Sequence, residues 1–215
     1  LEGDEEVAMP TVRQTERPII FTGWSVRAIL AGQKTQTRRI VKLFSGNHAD
    51  KCGCFRPAYP DEAETHKAEW MQYGAGGVWL PVRCPYGAPG DHLWVREKCV
   101  RGFLPHLLTG EPTEHENANY AADDAPVLTD DGFDLHPWWK GKSSPAIHMH
   151  RWASRLTLEI TGVRVERVQD ISEDDVRAEG ITEADIQAVS KRNRFEPGER
   201  LAFAAFWDQI NGRRG

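Results

Sequence analysis

The segment from Trp24 to Arg39 constrains the fold of this chain more than any other part of its sequence. Apolar side chains recur there at the spacing of one helix face, at Val26, Ile29 and Leu30. This spacing predicts a short amphipathic helix. Gly32 follows it, and glycine ends helices at little steric cost because it accepts left-handed backbone angles. A new element is therefore expected to begin at Lys34.

The residues after Lys34 alternate with the period of a strand. One predicted face carries Thr35, Thr37 and Arg39, and the other carries Gln36, Arg38 and Ile40. Because both faces hold polar groups, such a strand is expected to line a wet cavity or groove. The alternative is a solvated basic edge that discourages strand pairing. Its members would be Lys34, Arg38, Arg39 and Lys42.

The length of 215 residues suits one domain with a sizeable core. Residues 1–16 are polar, acidic and aperiodic, which predicts a disordered tail or an expression remnant. The domain then spans 17–215, and the stretches at about 43–77 and 102–146 are interpreted as long loop insertions because they lack a sustained period. Trp138 and Trp139, in the second insertion, suit either base stacking or buried packing.

The net charge of -5 excludes a globally basic nucleic-acid coat. An anionic partner must therefore meet a local patch. Basic residues do cluster, at Arg27, Lys34, Arg38, Arg39 and Lys42, and again at Arg151, Arg155, Arg164 and Arg167. No apolar run approaches the roughly 20 residues of a membrane span, and the first residues are acidic where a signal peptide is basic. These features predict a cytoplasmic protein with no membrane partner.

Cysteine and histidine spacing argues against a metal centre. Cys52 and Cys54 are separated by one residue, and Cys84 stands alone, whereas structural zinc usually takes two pairs with two to four residues between ligands. A zinc site stays open as the lesser alternative to reduced thiols. His148 and His150 are interpreted as exposed or hydrogen-bonded side chains. Neither a metal nor a cofactor is predicted.

Regular elements are predicted outside the insertions. Strands are expected at 18–21, at 78–82 and after Asp91, with a long strand pair over 155–168. Helices are expected after Ser172, after Thr182 and over about 198–210. In the strand after Asp91, Glu97 shares a face with Leu93 and Val95, so we expect it to pair with a cation such as Lys34 or Arg39.

Four motifs in order carry a resemblance to a known family. They are the aromatic residue, helix and Gly-x-Lys-x-x-Thr-x-Arg sequence of 24–39, the Gly-Asp-His-Leu-Trp-Val-Arg-Glu sequence of 90–97, the segment 145–156, and the segment 163–211. Together they resemble the ASCH domain of phage and prophage proteins, a branch of the PUA-like superfamily. The resemblance implies an α+β fold, with a mostly antiparallel PUA-like β-barrel, flanking short helices and long loop insertions. Such barrels usually close with a strand after the last helix, and none precedes Gly215, so truncation or a different closure is expected.

The resemblance implies a hydrolase as one functional class. Some ASCH proteins remove an acyl group from the exocyclic nitrogen of a modified cytidine with a Lys, a Thr and a Glu. These roles carry over to Lys34, Thr37 and Glu179. A lysine can activate a threonine hydroxyl only if burial or nearby cations lower its pKa. Glu179 would protonate the leaving amine, and Arg39 or backbone amides would hold the oxyanion.

A second class is a reader that binds RNA, single-stranded nucleic acid or a modified nucleoside without changing it. Its contacts would come from Trp24, Arg38, Arg39, Glu97, Arg151 and Arg155. A metal-independent ribonuclease and a domain that binds only protein are further alternatives. Catalysis predicts that Lys34, Thr37 and Glu179 converge on one enclosed pocket. A reader predicts an open basic groove with an aromatic floor.

Overall fold

The computed structural model describes residues 14–41, 55–61, 63, 70–73, 77–106, 108–127, 143–193 and 198–211. Its strands are β1 Glu16–Ile20, β2 Phe55–Pro57, β3 Trp70–Tyr73, β4 Trp79–Val82, β5 His92–Arg96, β6 Cys99–Pro105, β7 Pro112–Tyr120, β8 Ser143–Ser144 and β9 Thr157–Glu159. Its α-helices are α1 Gly23–Leu30, α2 Glu173–Ala178, α3 Glu183–Asn193 and α4 Glu199–Asn211. The predicted N-terminal tail at 1–13, Trp138–Trp139, Cys52 and Cys54 lie outside the described residues.

Three small sheets establish the α+β class. The first has the order β1-β5-β9, with β1 parallel and β9 antiparallel to β5. The second, β2-β3-β4, and the third, β7-β6-β8, are antiparallel throughout. Strand pairing in the described chain is therefore mostly antiparallel, as predicted.

The first sheet and α1 share one apolar core. Alternate residues of β1 and β5 point inward, because side chains on a strand alternate between its faces. Ile19 and Val95 are register partners in this core. The other buried members are Phe21, Val26, Leu93, Ala122 and Ile160. Helix α1 thus packs on the sheet through the apolar face that its sequence predicts.

A second core joins the helices that follow β9. It is formed by Ile171, Val176, Ile181, Ile186, Ala202 and Phe203. Each helix start has a local cause: the Thr22 and Ser172 hydroxyls accept from the backbone amides of Ser25 and Asp175, and Thr182 does the same for Asp185. No helix in the described part of the chain is long and apolar enough to cross a membrane.

Two predicted strands are wrong. Residues 35–41 are extended but form no strand, because the amides of Thr35 and Gln36 both donate to the Ala178 carbonyl instead of to a sheet. Between 155 and 168 only β9 pairs, and the chain beyond it runs without regular structure until a short 3-10 turn at Val168–Asp170.

The predicted insertions contain strands of their own. The hairpin of β6 and β7 occupies much of 102–146, and β2 and β3 fall within 43–77. The prediction of loops is wrong over these strands. β7 gave no apolar period because its buried side chains include two amides, Asn117 and Asn119. Their side-chain nitrogens donate to the carbonyls of Val127 and Asp124, which offsets the cost of burying them.

Candidate functional site

The centre of the candidate site is a buried ion pair between Lys34 and Glu179. Lys34 follows the Gly32 stop of α1, and Glu179 caps the end of α2. The Lys34 Nζ atom lies 2.6 Å from Glu179 Oε2 and also donates to the Glu179 carbonyl oxygen at 2.8 Å. The two residues are only 8 % and 7 % exposed. Ionised side chains are rarely buried to this extent unless they are paired.

Gly180 allows the two segments to approach this closely. Its φ of +88° is a left-handed conformation that L side chains rarely adopt. A Cβ atom at Gly180 would stand 2.9 Å from the Cβ atoms of both Ala28 and Lys34. Backbone pairing then fixes the register, since Lys34 and Glu179 form an antiparallel bridge.

Burial lowers the pKa of the Lys34 ammonium below its usual value. The Glu179 carboxylate opposes this shift, whereas the positive charges of Arg39 and Arg38 add to it. The sign favours the neutral amine, which is the form that can accept a proton. Lys34 therefore has the environment that a general base requires.

Thr37 lies beside this pair but has a different partner. Its half-buried hydroxyl accepts a hydrogen bond from Arg39 Nη1 at 2.8 Å. Arg39 also donates to the Ile20 carbonyl and stands over the Phe21 ring at 5.3 Å. Lys34 and Glu179 are thus brought into contact, while Thr37 and Arg39 form a second contact next to β1.

Arg38 faces the same way as Lys34. It donates to Glu179 Oε1 at 3.2 Å, to Glu166 Oε1 through Nε at 2.9 Å, and pairs with Asp175 Oδ2 at 3.1 Å. Arg164 joins the same network through Asp175 at 2.7 Å. Sequence analysis did not single out Glu166 or Asp175, because neither stands in a motif and both lie far from Arg38 along the chain.

The Trp24 ring lies at the wall of the site. It stacks on Phe206 of α4 with centroids 5.5 Å apart and planes inclined by 18°. Lys34 Nζ lies 5.9 Å from the Trp24 centroid. Part of the ring surface that was predicted to stack on a base is therefore occupied by Phe206.

Glu97 and Arg155 form a separate buried pair. Glu97 is 1 % exposed, and the Arg155 guanidinium bonds both of its carboxylate oxygens, at 2.9 and 3.0 Å. The expected pairing of Glu97 with a cation is confirmed, but the expected partners, Lys34 and Arg39, were wrong. Arg155 also bonds Asp123 at 2.8 Å and lies 3.9 Å from the centre of the Tyr120 ring. These contacts hold the guanidinium inside the protein.

Arg151 belongs to neither cluster. It makes two bonds of 2.9 Å to the Glu16 carboxylate at the start of β1. Both side chains of this pair are about half exposed, 44 % for Arg151 and 47 % for Glu16. This pair links β1 to the short turn Arg151–Ala153, well away along the chain from Lys34.

Within the described residues, no three His, Cys, Asp or Glu side chains are grouped to hold a metal. His148 ends a short 3-10 turn, Ala146–His148. Cys84 is half-buried, and Cys99 is 1 % exposed with its thiol pKa raised to about 12, mainly by burial and further by Glu97. Lys34 and Glu179 are not linked to these groups by any contact described above.

Comparison with known proteins found no matching family model, no matching curated protein and no matching solved structure. The chemistry of the Lys34–Glu179 pair is therefore the main guide to function.

Proposed function

We propose that this protein is an ASCH-type hydrolase that binds a modified nucleoside and cleaves the amide of an N4-acylcytidine. The observation that carries the proposal is the buried contact between Lys34 and Glu179, which lie 145 residues apart. These are two of the three residues to which the ASCH resemblance assigns catalytic roles. The same resemblance leads us to propose a PUA-like β-barrel, of which the β1-β5-β9 sheet would form one part.

The Lys34–Glu179 pair can supply both a base and an acid. Transfer of one proton from the Lys34 ammonium to Glu179 leaves a neutral amine and a carboxylic acid, a state that burial favours over two charges. Proton exchange across 2.6 Å needs no intervening water. The pair therefore enters the reaction without any change in total charge.

Thr37 would act as the nucleophile. Its oxygen attacks the acyl carbon while its proton passes to the Lys34 amine. As the C–N bond breaks, the Glu179 acid gives its proton to the leaving cytidine nitrogen. Arg39, already bonded to the Thr37 hydroxyl, would stabilise the developing negative charge. Water then hydrolyses the acyl-threonine ester, which returns the Thr37 proton and releases the carboxylic acid.

The test is cytidine release from N4-acetylcytidine and longer N4-acylcytidines, followed by chromatography. We expect wild-type protein to release cytidine and Lys34→Ala, Thr37→Val and Glu179→Gln to lose at least about 100-fold in rate, as general acid–base groups typically contribute that much. Lys191→Ala is the matched control, since Lys191 is an exposed lysine on α3. Folding of each variant is checked by circular dichroism.

Activity that persists in folded Lys34→Ala would refute the assigned roles. No release by folded wild-type protein from any acylcytidine would refute the hydrolase itself.

A reader that binds without hydrolysis is the second candidate. It is favoured by one observation: the Lys34 ammonium and the Thr37 hydroxyl bond to different partners, Glu179 and Arg39. Binding of RNA or a modified nucleoside with no product release in the same experiment would support it. Cleavage of an RNA oligonucleotide, abolished by Lys34→Ala, would instead support a ribonuclease.

A further inference from the structure

Arg38 is the most highly engaged cation around the candidate site. Its side chain is only 12 % exposed and contacts three carboxylates, those of Glu179, Glu166 and Asp175. Its guanidinium carbon also lies 5.8 Å from the centre of the Phe203 ring in the helical core. Arg38 is held on several sides, which is unusual for an arginine on a segment without regular structure.

The two cations divide the Glu179 carboxylate between them. Lys34 takes Oε2 at 2.6 Å, and Arg38 takes Oε1 at 3.2 Å. With one donor on each oxygen, the carboxylate cannot rotate about its terminal bond without losing a charged contact. Charge-assisted bonds of this kind are about twice as strong as neutral ones.

Arg38 is itself fixed from the outer side. Glu166 accepts from its Nε atom, and Asp175 pairs with its Nη2 atom. Arg164 contacts both of these acids and completes the network. Three carboxylates against one guanidinium give Arg38 anionic surroundings, and these surroundings repel a phosphate group.

We infer that Arg38 is a positioning residue that fixes the Glu179 carboxylate with Oε2 toward Lys34, and that it does not bind nucleic-acid phosphate. In its catalytic consequence the inference rests on the proposed function. The arrangement also has an electrostatic effect, because the Arg38 charge is one of the causes that lower the pKa of Lys34. The other charged groups that face the pair are Arg39, Glu166, Asp175 and Arg164.

The first measurement does not need a substrate. Protein with ¹³Cε-labelled lysine is titrated by NMR, and the Lys34 signal is assigned by its loss in Lys34→Arg. We expect the Lys34 midpoint to move to higher pH in Arg38→Gln, because a nearby positive charge is lost and Glu179 is left to Lys34 alone. Arg38→Lys keeps a charge but not the planar fork, so its midpoint should stay close to that of the wild type. Arg167→Gln is the control for an exposed arginine.

The second measurement is kcat and KM for the acylcytidine as a function of pH. We expect kcat to fall roughly 10- to 100-fold in both Arg38→Gln and Arg38→Lys, because misplacing a reacting group by about 1 Å costs about that much. KM should stay within about twofold. In Arg38→Gln the rate profile should shift along with the Lys34 midpoint.

The outcomes separate this inference from the proposed function. An unchanged Lys34 midpoint in folded Arg38→Gln would overturn the positioning role, whether or not any substrate is hydrolysed. A raised KM with unchanged kcat would also overturn it, since that pattern indicates substrate binding. A shifted midpoint in protein that hydrolyses no acylcytidine would support the role of Arg38 and refute the hydrolase.

Discussion

The Glu97 carboxylate carries a full charge inside a protein core, and one residue compensates it. Arg155 bonds both Glu97 oxygens, stands on the Tyr120 ring and extends to Asp123. A buried pair of this kind adds little net stability, but removing one partner leaves the other charge without compensation. The asymmetry between the two partners gives a direct measurement.

Arg155→Met should destabilise the protein by about 3–5 kcal/mol, the usual cost of breaking a buried pair from one side. The double variant Glu97→Gln/Arg155→Met should be more stable than Arg155→Met, because no charge then remains buried. Urea denaturation of the two variants and the wild type measures both differences. A double variant that is less stable than Arg155→Met would show that the Glu97 charge is not the source of the loss.

Glu97 also shows what residue patterns can and cannot predict. Alternation along β5 correctly placed it among Leu93 and Val95, on the buried face, and its chemistry required a cation. The partner was missed because alternation gives the face of a strand and not the segment packed against it. Arg155 was instead assigned to nucleic-acid contacts, since its position opposite Glu97 depends on the tertiary fold.

At the scale of elements, the end of α2 is shaped by one glycine. Gly180 turns the chain with a positive φ and lets Ala28 and Lys34 pack against its backbone. The same turn presents Glu179 to Lys34. The contact between α1 and α2 and the geometry of the ion pair therefore depend on the same position.

Gly180→Ala should cost about 2–4 kcal/mol, because left-handed strain of about 1–2 kcal/mol adds to overpacking of about 1–3 kcal/mol. It should also disturb the Lys34 NMR titration. Gly32→Ala is the matched control, since Gly32 has a positive φ of 69° but a Cβ there would meet nothing within 4 Å. Equal losses in the two variants would mean that strain alone, and not the close approach, accounts for the effect of Gly180.

Helices were predicted well in this chain, and strands less well, for a physical reason. Caps such as Ser172 and stops such as Gly32 act within a few residues, so the sequence contains the whole signal. Strands require a distant partner, and residues 35–41 lost theirs to the end of α2. The β6–β7 hairpin was missed because buried Asn117 and Asn119 interrupt the apolar period of β7.

Across the whole molecule, acidic side chains couple stability to pH. The pKa of Asp91 is lowered to about 2 by the backbone amides of Thr15 and Ala88, and that of Asp175 is lowered to about 2, mainly by Arg164. The ordinary value of both is 3.8. Because the folded values are depressed, the unfolded chain binds more protons between these limits. The stabilisation is present above pH 3.8 and is lost as the pH falls toward about 2.

The urea midpoint should therefore decrease as the pH falls through this window. Asp91→Asn and Asp175→Asn should each be less stable than the wild type at neutral pH and lose less as the medium becomes acidic. Asp170→Asn serves as the control, since Asp170 is exposed on a short turn. If Asp91→Asn lost stability as steeply as the wild type, the Thr15 and Ala88 contacts would not be responsible.

The candidate site is a property of the whole molecule. Sequence motifs predicted both Lys34 and Glu179, although 145 residues separate them. The surrounding network of Arg38, Glu166 and Asp175 could not be predicted, because its members come from three separate segments that meet only in the folded chain.

The buried Cys99 gives this fold an internal chronometer. Alkylating reagents attack the thiolate, and a thiol that is 1 % exposed with a pKa of about 12 offers almost none to them while the chain is folded. Cys99 begins β6, opposite Tyr120 of β7 and Ser144 of β8. A reagent can reach it only after this sheet opens. The rate at which the peptide containing Cys99 gains an alkyl group therefore reads out how often the β7-β6-β8 sheet comes apart.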